Sequence, residues 1–457
     1  MTDTPEPEQA RAAAIDRLRR WPAIPQIWLV AGGGWAGRAI QVVCQLLSVR
    51  ILTESLGSDN YGVFAVLTSL VGWLALSDFC VAASLQNFIS ERRAAQQESD
   101  DLVLTAALLA LINCCATALL LTLAGPWLAK LLLGEFNFLT AAQATTAFYA
   151  MAFPGIGTAL GGILYKFWLA HHRGYLASLV PAVGTMLGTL AVWLAARLQF
   201  QPILPWSIAL FYGPLAVVPV TLLAIKVIKI ARHRPHQLVA ARPILARGLR
   251  FWLFGLLSAG VLQVDYVIMA QVLPPQDIVV YNIASKLFGL VFFVYTAVLT
   301  ALWPVCSEHI YRREWPQVFS AIRTYGAIGM LFVCISGIGI LLTAPMIVSL
   351  ISPTLDITLP TAVIILLTLY NLVRIWTDTF GMVLQSMNDL KIFWIAVPIQ
   401  SLLSIGLQIV GAHLFGLPGM ITGLALCFIL TVGWILPLRC RAHARAAAAA
   451  TAAASAG

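Results

Sequence analysis

Apolar stretches of membrane-spanning length fill almost the whole chain, at about 26–52, 60–89, 102–125, 141–167, 176–196, 206–230, 250–272, 279–304, 322–345, 360–385, 392–414 and 418–439. A bilayer core is ~30 Å thick and takes about 20 apolar residues of α-helix to cross. Lipid offers no partner to backbone N–H and C=O groups, so segments of this kind must satisfy them internally, as helices. The expected fold class is an all-α polytopic membrane protein. Of 457 residues, 60% are hydrophobic and 10% charged, against roughly 25% charged in soluble domains. The longest connection, about Ala231 to Arg250, is short and basic, so no separate globular domain is expected.

Lys and Arg in the connections set the orientation. With a cytoplasmic N-terminus and strict alternation, the basic groups at 11–20, 92–93, 226–250, 312–323 and 439–445 all fall inside. Only Lys130 and Arg197 fall outside, with Arg50 at the boundary. Twelve spans with both termini cytoplasmic are predicted. The net charge of +9 then reflects helix flanks, not affinity for nucleic acid. Arg17, Arg19 and Arg20 precede the first stretch, but Gln26 to Leu52 is too long for a signal-peptide core of 7–15 residues. A retained first helix is expected. The eight Cys form no CxxC and no Cys/His cluster, so no disulfide, metal or cofactor is expected. Residues 2–9 and the Ala-rich 442–457 read as disordered.

An internal repeat organises the rest. LGSDNYGVF at 56–64 and LPPQDIVVYNI at 273–283 are short outside turns with an Asp, each followed by a Tyr that opens the next stretch. Tyr61 and Tyr281 lie about half a chain apart. An even number of spans per half makes the repeats parallel, related by an axis along the membrane normal. The expected division is a cytoplasmic segment 1–25, a six-helix lobe 26–230, a basic cytoplasmic linker 231–249, a second six-helix lobe 250–440 and a tail 441–457.

Charges inside the stretches mark where a polar interior is needed. An intramembrane charge is costly and faces a partner or a wet cavity. Arg38 lies ~17 Å into the first stretch, near the midplane. It reads either as a fixed cation for a phosphate group or as a structural partner of Asp78 or Asp265. Asp265 and Lys286 lie at matching depths, ~10 Å below the outer surface on neighbouring stretches. They read as an ion pair, or as a cavity cation with Asp265 tuning it or binding a coupling proton or cation. Arg374 and Asp378 share one helix face at i, i+4 and neutralise each other. Asp78, near the inner end of the second stretch, reads as a capping or snorkelled residue. Gln41, Gln45, Asn113, Asn282, Asn371 and Gln385 are candidate partners for a polar cargo, with Trp35 or Trp73 as stacking surfaces. No Walker A loop, GxSxG elbow or HExxH helix is present, so the expectation is a non-enzyme.

Three segments resemble Wzx-type O-antigen or polysaccharide-repeat flippases of the multidrug/oligosaccharidyl-lipid/polysaccharide exporter superfamily. They are RILTESLGSDNYGVF (50–64), LSDFCVAASLQNFIS (76–90), and Gln263–Asp265 through Tyr281–Lys286 to Leu302-Trp303-Pro304. The resemblance implies two six-helix lobes around a central cavity, working by alternating access. The implied cargo is an oligosaccharide on an undecaprenyl-pyrophosphate carrier, moved from the cytoplasmic to the periplasmic leaflet of the bacterial inner membrane. A polysaccharide polymerase and a chain-length regulator are implied partners. Related lipid II flippases carry an arginine matching Arg38 and a further Arg-Asp pair where this chain has Cys44 and Gln45. The candidate cargo-binding residues are therefore Arg38, Lys286, Gln41, Asn282 and Asn371. Asp265, Asp78, Arg374 and Asp378 are candidates for ion coupling or charge pairing. A multidrug or organic-cation exporter would favour acidic cavity residues, whereas the midplane charge here is Arg38. A polymerase would carry a large outer loop and an acyl transferase a His buried in a span, and neither is found.

Overall fold

The computed structural model describes residues 24–456 other than 95, 172, 202, 234–240, 352–357, 388 and 390. The described residues are helical almost throughout, with no strand among them. The first half comprises α1 (Ile24–Ser69), α2 (Val71–Leu74), α3 (Val81–Ala94), α4 (Asp100–Leu133), α5 (Ala141–Ala170), α6 (Gly174–Arg197) and α7 (Ile203–His233). The second comprises α8 (Ala241–Leu262), α9 (Asp265–Val272), α10 (Pro275–Tyr311), α11 (Trp315–Ile351), α12 (Thr361–Ser386), α13 (Lys391–Leu430) and α14 (Val432–Ala456). Among the described residues, 10 helical segments are long and apolar enough to cross a membrane. Large side chains such as Leu123, Leu342, Met346 and Leu402 stay more than 70% exposed. An outer surface this apolar suits lipid and not water. The protein is a multi-pass membrane protein.

Two of the 10 segments are kinked at a glycine. Gly57 in α1 has φ 74, ψ 176 and Gly416 in α13 has φ 61, ψ −145. Backbone of that kind is closed to most L-residues and open to glycine, so each glycine lets the chain kink between two apolar runs. Other ends follow ordinary capping chemistry. The Thr140 hydroxyl accepts from the Gln143 N–H while the Gln143 side chain accepts from the Thr140 N–H, a capping box that starts α5.

The stretches at 60–89 and 250–272 are broken, which the sequence reading did not anticipate. The first breaks between α1 and α3, where Phe79 (φ 51) and Cys80 (φ 54) are both left-handed. Asp78 holds this turn: its carboxylate accepts from the Cys80 N–H and the Ala82 N–H, each at 2.8 Å. It is the cap of α3. Arg92 pairs instead with Asp101 at 2.6 Å, and Arg93 donates to the Ala170 carbonyl. The second break separates α8 from α9 at Gln263–Val264. The two breaks meet, since a Cβ on Gly72 would lie 3.0 Å from the Gln263 side chain. Gly248 lets α8 pass the first break closely, with a Cβ there only 2.8 Å from the Phe79 carbonyl oxygen.

Two expectations about connecting segments are corrected. Residues 241–249, expected as linker, are the first turns of α8. Ile244 is 1% exposed there and packs with Val81, Leu85 and Ile89, because an apolar stripe continues into the basic stretch. The Ala-rich tail, expected to be disordered, continues α14 as helix to Ala456. Alanine has the highest helix propensity and α14 supplies the nucleus.

The core is divided unevenly along the molecule. At the Gly57 end one cluster joins both halves, with Leu56, Phe64, Phe136 and Met151 packed with Ile268, Val279, Val363 and Met420. At the basic end the clusters separate. One holds Val103, Ile163 and Leu223 with Ile244, and the other holds Tyr295, Phe380, Val397 and Cys427.

Candidate functional site

Between the halves lie two adjoining cavities of about 420 and 490 Å³ that share Gln41, Gln45 and Lys286. Arg38 to Gln45 of α1 supply one wall, and residues of α10 between Asn282 and Phe293 supply another. Arg38, Ser178, Pro181 and Phe293 complete the larger. Thr68, Ser69, Thr185, Tyr212, Tyr266, Asn282 and Ser285 are the other polar residues of the smaller, beside Val71, Phe211 and Leu215. The described lining carries two cations, several amides and hydroxyls, and no carboxylate.

Arg38 is exposed, and its guanidinium carbon lies 4.7 Å from the centre of the Phe293 ring. The aromatic face holds the cation without neutralising it. No ion pair joins it to a described carboxylate. Neither Asp78 nor Asp265 is its partner, because both carboxylates are taken up by other donors. Gln41, one turn further along α1, donates to the Ser178 carbonyl at 3.3 Å.

Lys286 and Asp265 do not pair, which corrects the ion-pair reading. Lys286 Nζ donates to the Tyr61 hydroxyl at 3.3 Å. Tyr61 donates to Asn282 Oδ1 at 2.9 Å, and Asn282 Nδ2 donates to the Tyr266 hydroxyl at 2.8 Å. Asp265, 7% exposed, accepts from the Tyr266 N–H at 2.9 Å and from the Tyr281 hydroxyl at 2.5 Å. Depth alone suggested the ion pair. Rotation about the helix axes aims the carboxylate at Tyr281 and leaves the ammonium at the cavity wall. Tyr61 and Tyr281, the two repeated tyrosines, thus end on different partners, and Tyr61 crosses between the halves.

The structure brings Arg38, Gln41, Asn282 and Lys286 together and leaves Asn371 apart. Asn371 is 6% exposed and donates to the Leu367 carbonyl of its own helix at 2.8 Å. It joins the described lining of neither cavity. Asn113 donates to the Asp78 carbonyl at 3.2 Å, a structural bond to the first break. Arg374 and Asp378 form an ion pair at 3.0 Å, and Arg374 also donates to the Tyr370 hydroxyl at 3.0 Å. Asp378 and Gln385 line a separate cavity of about 670 Å³ within the second half. Trp35 lies outside the residues whose side chains are described. Sequence reasoning missed Tyr61 as the partner of Lys286, and Tyr212 and Tyr266 as wall residues. The repeated tyrosine after each outside turn was the signal for the first.

The chain is 37% identical over 425 residues to a protein of Yersinia pseudotuberculosis named for O-antigen export, covering 92% of this chain and 97% of that one. It is 33% identical over 422 residues to a Salmonella typhi protein named as an O-antigen transporter, covering 92% and 98%. The chain belongs to the O-antigen transporter family. No family model matches it. The fold of this O-antigen transporter family member is that of the MOP superfamily. It resembles the lipid II flippase MurJ in an inward closed conformation with TM-score 0.69 at 14% identity, covering 90% of this chain and 87% of that one. It resembles an inward-facing MATE family multidrug resistance transporter with TM-score 0.68 at 15% identity, covering 89% and 95%.

Proposed function

We propose that the chain is a flippase that moves an undecaprenyl-pyrophosphate-linked oligosaccharide repeat from the cytoplasmic to the periplasmic leaflet of the inner membrane by alternating access. The observation that carries this reading is the polarity of the joined cavities: Arg38 and Lys286 stand among amides and hydroxyls with no acid in the described lining. A pyrophosphate brings about two negative charges that must cross ~30 Å of hydrocarbon. Arg38 offers it a planar, bidentate donor and Lys286 a compact ammonium. Gln41, Gln45 and Asn282 offer hydrogen bonds to sugar hydroxyls. An organic-cation exporter would place carboxylates on this wall instead. The relatives named for O-antigen export and the likeness to a lipid II flippase support the class of cargo.

The proposed topology has twelve spans in two six-helix lobes, 26–230 and 250–440, with both termini cytoplasmic. The kinks at Gly57 and Gly416, each within an apolar segment long enough for two spans, and the clustering of Lys and Arg in alternate connections support it. In that frame the shared core seals the periplasmic end, and the two clusters at the basic end leave the cargo's entry on the cytoplasmic side. A proton or cation drives the change of state, with Asp265 and its tyrosine partners as the switch it acts on.

A surface-polysaccharide gel of a deletion strain tests the reading. Wild type restores polymer, whereas Arg38→Ala and Lys286→Met do not, although both reach the membrane at wild-type level. Full polymer in the deletion strain, with no second flippase present, refutes the proposed cargo. Full rescue by both variants refutes the cationic site.

A further inference from the structure

Away from the central cavities, a groove of about 480 Å³ lies between α11, α12 and α14 of the second half. Its walls are Phe319, Trp376 and Phe380, and its floor is Gly326. A Cβ built on Gly326 meets nothing within 4 Å, so the helix leaves open space there where any larger residue would fill it. Two arginines stand at the groove, Arg323 and Arg441, both exposed and neither in an ion pair with a described residue. They come from helices far apart in sequence, near the start of α11 and the basic end of α14. The neighbouring surface of α11 is apolar, with Ile328, Leu331 and Ile335 each more than half exposed. An open aromatic slot beside bare lipid-facing surface, with two unneutralised guanidinium groups at its basic end, matches one chemistry. That chemistry is an anionic phosphate on an acyl chain.

We propose that this groove holds an anionic glycerophospholipid of the surrounding membrane. Arg323 and Arg441 take its phosphate and the aromatic slot takes the start of an acyl chain. The site is separate from the cavity lined by Arg38 and Lys286 and does not depend on what that cavity carries. The occupant is a membrane lipid and not the cargo, because the groove adjoins the exposed apolar surface of α11 and shares no lining residue with the joined cavities.

Native mass spectrometry of the full chain in detergent, titrated with phosphatidylglycerol, tests this. Wild type is expected to retain phosphatidylglycerol over phosphatidylethanolamine. R323Q/R441Q is expected to bind phosphatidylglycerol about thirty-fold more weakly, the loss of two surface charge contacts. G326L, which fills the floor while keeping both arginines, is expected to lose the same adduct, and R38Q is expected to keep it. If G326L fails to fold, R323Q/R441Q decides alone. Unchanged affinity in R323Q/R441Q overturns the proposal. Displacement of phosphatidylglycerol by inorganic pyrophosphate alone shows a free-anion site and overturns it. Stronger retention of undecaprenyl phosphate than of phosphatidylglycerol, lost in R323Q/R441Q, assigns the groove to the carrier lipid and overturns it as well.

Discussion

Tyr61 is fully buried, yet its hydroxyl is committed on two sides, accepting from Lys286 and donating to Asn282. It belongs to α1, and both partners belong to α10. One phenol therefore ties the halves together and fixes the ammonium at the cavity wall. Tyr61→Phe keeps the ring, which stacks on Phe64 at 5.9 Å. It strips Asn282 Oδ1 of its donor, and an unsatisfied buried acceptor costs about 1–3 kcal/mol. The purified variant should unfold at a lower temperature in detergent than wild type, and an unchanged midpoint would refute the bridging role. That Tyr61 would matter was legible from its repeat with Tyr281. Which atoms it would meet was not, because successive residues on a helix are turned by about 100° and depth says nothing of facing.

Breaks and fastenings decide how the elements sit. The α1–α3 break places Val71 on the cavity wall and turns Asp78 into a cap, and the α8–α9 break places Tyr266 beside Lys286's network. Discontinuous helices are a recurrent way to line a transport site. Neither break carries a proline, so an apolar count ran straight through both. The basic end is fastened by exposed ion pairs, among them Arg247–Glu91 at 2.7 Å. In the connection between α12 and α13, Asp389 accepts from Arg439 and from His443, each at 2.7 Å. The Arg439 hydrogen bond holds the Asp389 carboxyl below its ordinary value, against the opposing cost of burial, and His443 adds to it. A carboxyl lowered in the folded state stabilises fully above its ordinary value of about 4 and loses that contribution as pH falls through the lowered value. Between pH 5 and pH 3 the unfolding temperature of wild type should therefore fall further than that of Asp389→Asn. Parallel falls would show that Asp389 does not fasten α14.

At the scale of the whole molecule, the halves share one core at the Gly57 end, whereas at the basic end each has its own cluster and α8 alone packs against the first half's. A Cβ on Gly62 would lie 3.2 Å from the Cβ of Pro275, across the junction of the halves. That is close to the ~3.8 Å mean that a disulfide spans. On a background without the eight native cysteines, Gly62→Cys with Pro275→Cys should cross-link under mild oxidation. If this end must open for cargo to leave, the cross-linked protein should stop transport and reduction should restore it. Transport by the fully cross-linked form would rule out opening at this end.

Composition alone determined that the chain is helical and crosses the membrane many times, and the charge pattern set the expectation that its basic connections lie on one side. Lipid permits few structures, and helix flanks report their own orientation. The same reading singled out Arg38 and Lys286, since a charge in hydrocarbon is conspicuous wherever it occurs. Only the tertiary structure decided which charges stand unneutralised at one cavity and which are spent on capping, tyrosine bonds or the Arg374–Asp378 pair. Those outcomes turn on helix rotation and on breaks of a few residues. Each is set by packing between segments more than a hundred residues apart in the chain, such as Gly72 with Gln263 and Gly248 with Phe79.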